Sequence, residues 1–175
     1  MAVLKIARMG HPALRRRAQP VPSREIRSPQ TRRLIDDMID TLEEYNGVGL
    51  AAPQVRESKR IILAAPPPPD ERAEPELLIL INPKVVERSK ETLEDWEGCL
   101  SIPEIRGLVE RPARIVVEAK DPLDRDRRIE AEGLTARILL HEIDHLDGVL
   151  YLDRMSSMQS LTYLDEMRNQ EAETD

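Results

Sequence analysis

The segment HEIDH at residues 141–145 is the pattern in this chain with the clearest chemical meaning. An α-helix turns once every ~3.6 residues, so His141 and His145 project from one face and can reach the same divalent metal ion. Glu142 is rotated by about 100° from His141 and can accept a proton from water beside that ion. A helix with one buried histidine and charged neighbours is the competing interpretation. Because both histidines and the glutamate occur together, the pattern favours a metal-assisted hydrolase.

A metal site that activates water needs a third protein ligand and one open position. Downstream of the histidines, Gly148 fits a longer histidine motif, but Tyr151 stands where that motif has its third histidine. Glu166 is another downstream candidate, in a polar C-terminal segment. The better candidate lies upstream, at Cys99.

Cys99 is the only cysteine in the chain, so it cannot form an intramolecular disulfide. With no sign of secretion we expect it to be reduced. A single cysteine is most often a small buried hydrophobe. However, Gly98, Ser101 and Pro103 are out of place in an ordinary core strand and suit a strand end that presents a side chain. This setting favours Cys99 as a ligand.

Three segments together resemble the peptide deformylase family. They are GVGLAAPQ at residues 47–54, EGCLS at residues 97–101 and HEIDH at residues 141–145, in the family's order and at roughly its spacing. The resemblance extends from Gly10 near the start to Asp153 near the end and covers nearly the whole chain apart from the tail. Each segment alone is a weak signal, whereas the three together are specific.

The resemblance implies a metal site made of Cys99, His141 and His145. Thiolate and imidazole ligands suit iron(II), zinc, nickel or cobalt. Deformylases typically use iron(II) in the cell, so one Fe²⁺ ion is the expected cofactor. Iron beside a thiolate is expected to be oxygen-sensitive, because both can be oxidised.

The implied reaction is removal of the N-formyl group from the N-terminal methionine of newly synthesised polypeptides, which releases formate. Glu142 would take a proton from the attacking water and later give it to the departing amine. Negative charge that develops on the formyl oxygen needs donors already aimed at it. The resemblance assigns this role to the side-chain amide of Gln54 and the backbone N–H of Leu100.

The family binds its substrate as an extended strand, through main-chain hydrogen bonds that are indifferent to sequence. Gly47 and Gly49 carry no Cβ, so we expect a peptide to lie close to that backbone. Asn46 and Gly47 also suit the end of the preceding helix, and both roles are compatible. The resemblance assigns substrate binding to Val48, Gly49, Gly98, Leu134 and Ile138, with Trp96 at the rim of the methionine pocket. Leu134 and Ile138 share a helix face with the histidines and suit ordinary core positions nearly as well.

The element pattern predicts an α+β fold, with short, mostly antiparallel strands around a central helix that bears HEIDH and an additional N-terminal helix. Ser28 and Pro29 predict the start of that N-terminal helix. The motif helix is predicted to begin near Leu134. Strands are predicted at residues 60–63, 77–81, 84–87, 114–118 and 128–131, with a proline-rich and charged surface loop at residues 66–74. We expect one catalytic domain over residues 1–175, with a polar, acidic tail at residues 159–175.

A chain of 175 residues with a net charge of −7 suits one core and argues against nucleic-acid binding as the main activity. No apolar run approaches the ~20 residues of a membrane span, and no signal-peptide pattern follows Met1. We therefore expect a cytoplasmic, bacterial-like enzyme. The resemblance adds the ribosome as a transient partner, although the acidic tail differs from the basic helix through which some family members dock.

Three functional classes follow from these patterns. The leading one is the deformylase, and the second is a zincin-like metallopeptidase with Glu166 as third ligand. The third is a non-enzymatic protein with a closed metal site, which needs a fourth protein ligand. His11 is remote in a Gly-His-Pro turn and is interpreted as a loop residue.

Asp144 is predicted to fix the motif helix by pairing with Arg111 or Arg106.

Overall fold

The computed structural model describes residues 2–68 and 76–167. The helices with defined bounds are α1 at Ser23–Ile26, α2 at Pro29–Glu44 and α3 at Gly133–Leu146, and residues 164–167 are also helical. The strands are β1 Gly49–Ala51, β2 Ile61–Ala64, β3 Leu78–Arg88, β4 Thr92–Cys99, β5 Ile102–Pro112, β6 Arg114–Lys120, β7 Asp126–Glu132 and β8 Thr162–Tyr163.

Helix α2 starts where its sequence signals predict. The Ser28 side chain accepts a hydrogen bond from the backbone N–H of Thr31, and proline at the first helical position leaves no amide there without a partner. An apolar stripe that includes Met38 and Leu42 packs into the core. The helix ends when Asn46 adopts a left-handed φ of 49°, after which Gly47 N donates to Leu42 O. The residue that turns the chain is therefore Asn46, not the glycine.

The strands form two antiparallel sheets. One has the order β1-β2-β3-β6-β7 and the other the order β4-β5-β8. Strands β1 and β4 each lie at the edge of their sheet. Helix α3 contacts β1, β2, β6 and β7 of the first sheet and β5 of the second. The predicted α+β architecture around the motif helix is confirmed.

Helix α3 is buried along most of its length. Every residue from Ala136 to Leu146 is buried, and the apolar ones pack against the inner face of the five-stranded sheet. Each fully buried leucine or isoleucine contributes about 1.5–3 kcal/mol to folding. The histidine motif therefore lies in the buried part of α3, and the surrounding packing limits how far its side chains can move.

Two strand predictions were incomplete. Residues 77–81 and 84–87 were predicted as separate strands, but they belong to one strand, β3, whose register shifts near Asn82. Asn82 has a left-handed φ of 54°, and its side-chain amide exchanges two hydrogen bonds of 2.8 Å with the backbone of Val21. The long hairpin of β4 and β5 was not predicted, because β4 is exposed over Thr92–Trp96 and lacks the usual apolar alternation.

The predicted loop and tail are only partly described. Residues 69–74 of the loop and residues 168–175 of the tail lie outside the described residues. Within the tail, Thr162 and Tyr163 form β8 and pair with Arg106 and Ile105. In the described ranges no helix combines the length and apolar character needed to cross a membrane.

Candidate active site

Cys99, His141 and His145 converge in the structure. Cys99 is the last residue of β4, as its glycine, serine and proline neighbours predicted, and the histidines lie one turn apart on α3. The Cys99 Sγ lies 3.2 Å from His145 Nε2, and all three possible ligand atoms lie within 4.8 Å of one another. The three side chains are buried. Burial raises the pKa of the Cys99 thiol, but attraction to His145 and the other imidazole outweighs this and lowers it well below 9.0.

The donor set fits a single metal ion. One thiolate and two imidazoles are ligands that first-row divalent metals accept, and a site with three protein ligands leaves a position open for water or substrate. His141 Nδ1 hydrogen-bonds to Glu97, so its Nε2 is the nitrogen left for an ion. In the described part of the chain this is the one group of histidine, cysteine and acidic side chains close enough to hold an ion.

Glu97 orients the first histidine. Its carboxylate accepts hydrogen bonds from His141 Nδ1 (2.8 Å), Arg111 Nε (2.8 Å) and Arg137 Nη1 (2.9 Å). Burial opposes ionisation of Glu97, but the bonds from Arg111 and His141 lower its pKa to about 2. The carboxylate is therefore charged and holds the imidazole in one orientation.

The sequence interpretation missed Glu97 and Arg137. Both could have been found, because Glu97 lies two residues before Cys99 on the same strand face, and Arg137 lies one helical turn before His141.

Glu142 is buried beside Cys99 and the two histidines, and one of its carboxylate oxygens forms no hydrogen bond within the described residues. Its Oε2 is buried and has no hydrogen-bond partner among the residues that the structure describes. Burial raises its pKa to about 7, against the attraction of His141 and His145. A carboxylate with a raised pKa and a free oxygen can take up and release a proton near neutral pH.

Gln54 presents its amide nitrogen to the same cavity. A backbone N–H can only donate, so the 2.8 Å bond from Ala51 N identifies Oε1 as the acceptor. The remaining group, Nε2, lies 3.5 Å from Cys99 Sγ and 3.3 Å from Ser101 Oγ. The N-terminal segment supports this arrangement, since the backbone N–H of Ala7 donates to Gln54 O and that of Met9 to Ser101 O.

A cleft of about 840 Å³ opens onto these groups. It is bounded on one side by residues 45–49, which lead from α2 into β1, and on the other side by β4 and α3. Predicted site residues that line it are Val48, Gly49, Gln54, Gly98, Cys99, Leu100, Leu134, Ile138, His141 and Glu142, together with Trp96. Val48 and Leu134 are exposed, and Ile138 is buried deeper.

The glycines of the cleft leave room for neighbouring side chains of the protein itself. A Cβ on Gly49 would lie 2.3 Å from Glu142 Oε1, and a Cβ on Gly47 would lie 2.8 Å from a Leu42 methyl group. On Gly98 it would lie 2.0 Å from the Arg106 guanidinium. In each case the direction in which a Cβ would point is occupied by one of the protein's own side chains.

Asp144 pairs with Arg111, which is one of the two partners that the sequence predicted. Arg111 Nη1 donates to Asp144 Oδ2 at 2.6 Å. The Arg106 alternative was wrong, because that side chain lies against Gly98 at the cleft. Sequence reasoning missed a second partner, Arg154, whose Nη2 lies 2.7 Å from Asp144 Oδ1.

Other residues considered as ligands lie elsewhere. Glu166 is exposed near the end of the described chain and is not part of the Cys99 group. His11 begins the 3-10 turn Pro12–Arg15 and accepts a hydrogen bond from Ala13 N, which agrees with its interpretation as a loop residue. Tyr151 is buried and stacks on His141, with ring centroids 6.1 Å apart.

The buried group of Cys99, His141 and His145 could hold one metal ion, and a carboxylate of raised pKa and an open cleft lie beside it, which is the arrangement expected of a metal-dependent hydrolase. The family model described as polypeptide deformylase matches residues 3–161. The chain belongs to the peptide deformylase family and is an enzyme of that family.

Relatives and solved structures agree with this assignment. A peptide deformylase of Natranaerobius thermophilus is 44% identical over 88% of this chain and 93% of its own length. One from Desulfitobacterium hafniense is 47% identical over 88% and 95%. The crystal structure of peptide deformylase from Thermotoga maritima has a TM-score of 0.80 at 39% identity, over 90% of this chain and 100% of that one. A class I type b peptide deformylase from Acinetobacter baumannii, bound to Met-Ala-Ser, has a TM-score of 0.83 at 39% identity, over 88% and 99%.

Proposed function

We propose that this enzyme removes the formyl group from N-formylmethionyl peptides by metal-assisted hydrolysis, with Cys99, His141 and His145 as the metal ligands. The C–N bond of the formamide breaks, and water supplies the oxygen of formate and the proton of the new amine. A bound divalent ion would lower the pKa of water and polarise the formyl carbonyl. We propose Fe²⁺ as the ion in the cell, with zinc, nickel or cobalt able to occupy the same ligands.

Glu142 is proposed to carry the proton. Its free Oε2 takes a proton from the attacking water and passes it to the departing nitrogen, so one carboxylate acts as base and then as acid. Two features support this role. The pKa of Glu142 is raised to about 7 by burial, and Gly49 allows the carboxylate to pack directly against β1.

Gln54 and Leu100 are proposed to stabilise the formyl oxygen as it gains charge. The Gln54 amide is fixed by Ala51, so its N–H group needs no reorientation during the reaction. Leu100 follows Cys99 directly in the chain and lines the cleft, which places its backbone N–H beside the ligand cysteine. Donors held in place before the reaction cost no reorganisation at the transition state.

The peptide is proposed to bind as an additional strand between β1 and β4. Both are edge strands, and residues of both segments line the cleft. Main-chain hydrogen bonds of this kind suit an enzyme that acts on many different sequences. Methionine would occupy the apolar part of the cleft at Val48, Leu134 and Ile138, with Trp96 at its rim and Gly49 and Gly98 beside the peptide backbone. The Met-Ala-Ser ligand of the Acinetobacter baumannii relative supports this proposal.

The convergence of Cys99 with the two histidines is the observation that carries the proposed function. The test is formate release from formyl-Met-Ala by protein that is purified without oxygen and whose metal content is quantified. We expect turnover in proportion to bound metal and no cleavage of an unformylated protein substrate. Cleavage of that substrate without formate release would instead support the metallopeptidase alternative.

We further propose that residues 1–175 act as one catalytic domain in the cytoplasm and meet nascent chains at the ribosome only transiently. The protein's net charge of −7 repels the negatively charged ribosomal RNA, which supports the proposal that any contact with the ribosome is weak. Cosedimentation with ribosomes at low and physiological salt would test this, and salt-resistant binding would contradict it.

A further inference from the structure

The Asp144 carboxylate is shared by two arginines that come from different elements. Arg111 on β5 donates to Oδ2 at 2.6 Å. Arg154 ends the 3-10 turn Tyr151–Arg154 and binds both oxygens, with Nη2 2.7 Å from Oδ1 and Nε 3.0 Å from Oδ2. The two guanidinium groups therefore hold the carboxylate on both sides.

From Asp144 the charged contacts continue to a proposed metal ligand. Arg111 uses its other nitrogens, Nε and Nη2, to bind the two oxygens of Glu97 at 2.8 and 2.9 Å. Glu97 then accepts the 2.8 Å bond from His141 Nδ1. Every link in this sequence is a charge-assisted hydrogen bond, and such bonds are shorter and stronger than neutral ones.

Burial decreases outward along this sequence of contacts. The side chains of Glu97 and Arg111 are 3% and 5% exposed, and that of Asp144 is 11% exposed, whereas Arg154 is 47% exposed. Removal of Arg154 would leave Asp144 held from one side only. Asp144 would then hold Arg111 less firmly, and Glu97 would depend on its bonds from Arg111 and Arg137, so the carboxylate that orients His141 would lose part of its support.

We propose that Arg154 is a positioning residue for His141, acting through Asp144, Arg111 and Glu97. The inference rests on the proposed metal site. It places one determinant of metal affinity on the turn after α3, outside the three family motifs at residues 47–54, 97–101 and 141–145.

The test compares the metal affinity of Arg154→Ala with that of a matched control, Arg15→Ala. Arg15 pairs with Asp153 on the same turn, and its side chain is 48% exposed, so its removal deletes an ion pair of similar exposure. Within the described part of the chain, Asp153 forms hydrogen bonds with Arg15 and the backbone N–H of Leu150, and none with Glu97 or His141. The probe is Zn²⁺ in competition with a chromophoric chelator, measured well below the unfolding temperature of each variant.

Loss of a partner that directly orients a metal ligand typically weakens metal binding by 10–100-fold. Because Arg154 acts further from the ligand, we expect Arg154→Ala to weaken zinc binding by about three- to ten-fold and Arg154→Lys by less. Arg15→Ala should bind zinc within about two-fold of the wild type, because its exposed ion pair with Asp153 contributes little energy and lies outside the contacts from Arg154 to His141. Equal losses in both alanine variants would show a general structural effect and overturn the proposal.

A double-mutant cycle tests whether the effect passes through Asp144. In an Asp144→Asn background, Arg154→Ala should have little further effect on zinc affinity, because the carboxylate it holds is already gone. Full additivity of the two losses would overturn the proposed route. If the wild type itself binds no zinc, the proposed metal site fails. If the wild type binds and Arg154→Ala matches it, only the positioning inference fails.

Discussion

Addition of one methyl group at Gly49 should impair catalysis without removing the metal site. The Cβ of Gly49→Ala would lie 2.3 Å from Glu142 Oε1, and an ordinary contact begins at 3.4 Å, so the two groups must separate by about 1 Å. Gly49 lies in β1 and Glu142 on the buried helix α3, which leaves the carboxylate as the group that moves. A displacement of about 1 Å at a reacting group can reduce the rate about 100-fold, equivalent to about 2.7 kcal/mol in the barrier.

The assay is steady-state formate release from formyl-Met-Ala, with metal content and unfolding measured on the same samples. We expect kcat to fall about 100-fold while bound metal stays at the wild-type level. Overpacking should also lower the free energy of unfolding by about 1–3 kcal/mol.

Gly107→Ala is the matched control for overpacking. The Cβ of Gly107→Ala would lie 2.6 Å from the thioether of Met155, which is a flexible side chain. Glu142 is not among the nearest neighbours of this Cβ, so this variant should not displace the carboxylate. We expect Gly107→Ala to lose stability and keep its kcat. Wild-type kcat in Gly49→Ala, or an equal fall in both variants, would refute the proposed position of Glu142.

Three further predictions concern separate parts of the molecule. Gln54→Leu should lower kcat by about 100- to 1,000-fold with little change in metal content, and unchanged kcat in steady-state kinetics would exclude Gln54 as a donor to the formyl oxygen. Cys99→Ser should lose most of its bound metal by elemental analysis whereas Glu166→Ala should keep it, and the reverse pattern would restore the metallopeptidase alternative. Asp121→Asn should lower the free energy of unfolding by about 1 kcal/mol at pH 7. The reason is that the charged carboxylate accepts hydrogen bonds from the backbone and guanidinium of Arg125. Burial acts to raise the pKa of Asp121, but these bonds lower it below 3.8, so the stabilisation is complete above that pH and is lost as pH falls through the folded-state pKa. In urea unfolding, the difference in the free energy of unfolding between Asp121→Asn and the wild type should become smaller below about pH 4. A difference that stays constant with pH would contradict the stabilising role of the charged carboxylate.

Local signals in the sequence predicted the elements that carry the site. Ser28 with Pro29 marked the start of α2, and the histidine spacing marked α3, since capping and helical periodicity act within a few residues. Cys99 was expected at a strand end because of its neighbours, and it ends β4. Such predictions succeed because their physical causes lie in adjacent residues.

The remainder depends on contacts between distant residues. Arg111 and Asp144 are 33 positions apart, and the sequence predicted their pairing only as one of two alternatives. Glu97 and His141 are 44 positions apart, and their hydrogen bond was not predicted. Arg137 could have been found from its helical spacing to His141, but no local pattern distinguishes the buried Arg111 from the many exposed arginines in this charged sequence. For the same reason, no local signal marks Arg154 as a partner of Asp144. The β4 strand was missed because its exposed residues follow the polarity of a loop, and only its pairing with β5 makes it a strand.

The most direct test of the metal site is X-ray absorption spectroscopy on protein that is loaded with one equivalent of zinc. We expect one sulfur at about 2.3 Å, two imidazole nitrogens at about 2.0–2.1 Å and one light atom from water. A spectrum without sulfur, or with a fourth protein ligand in place of water, would contradict a hydrolytic site built from Cys99, His141 and His145.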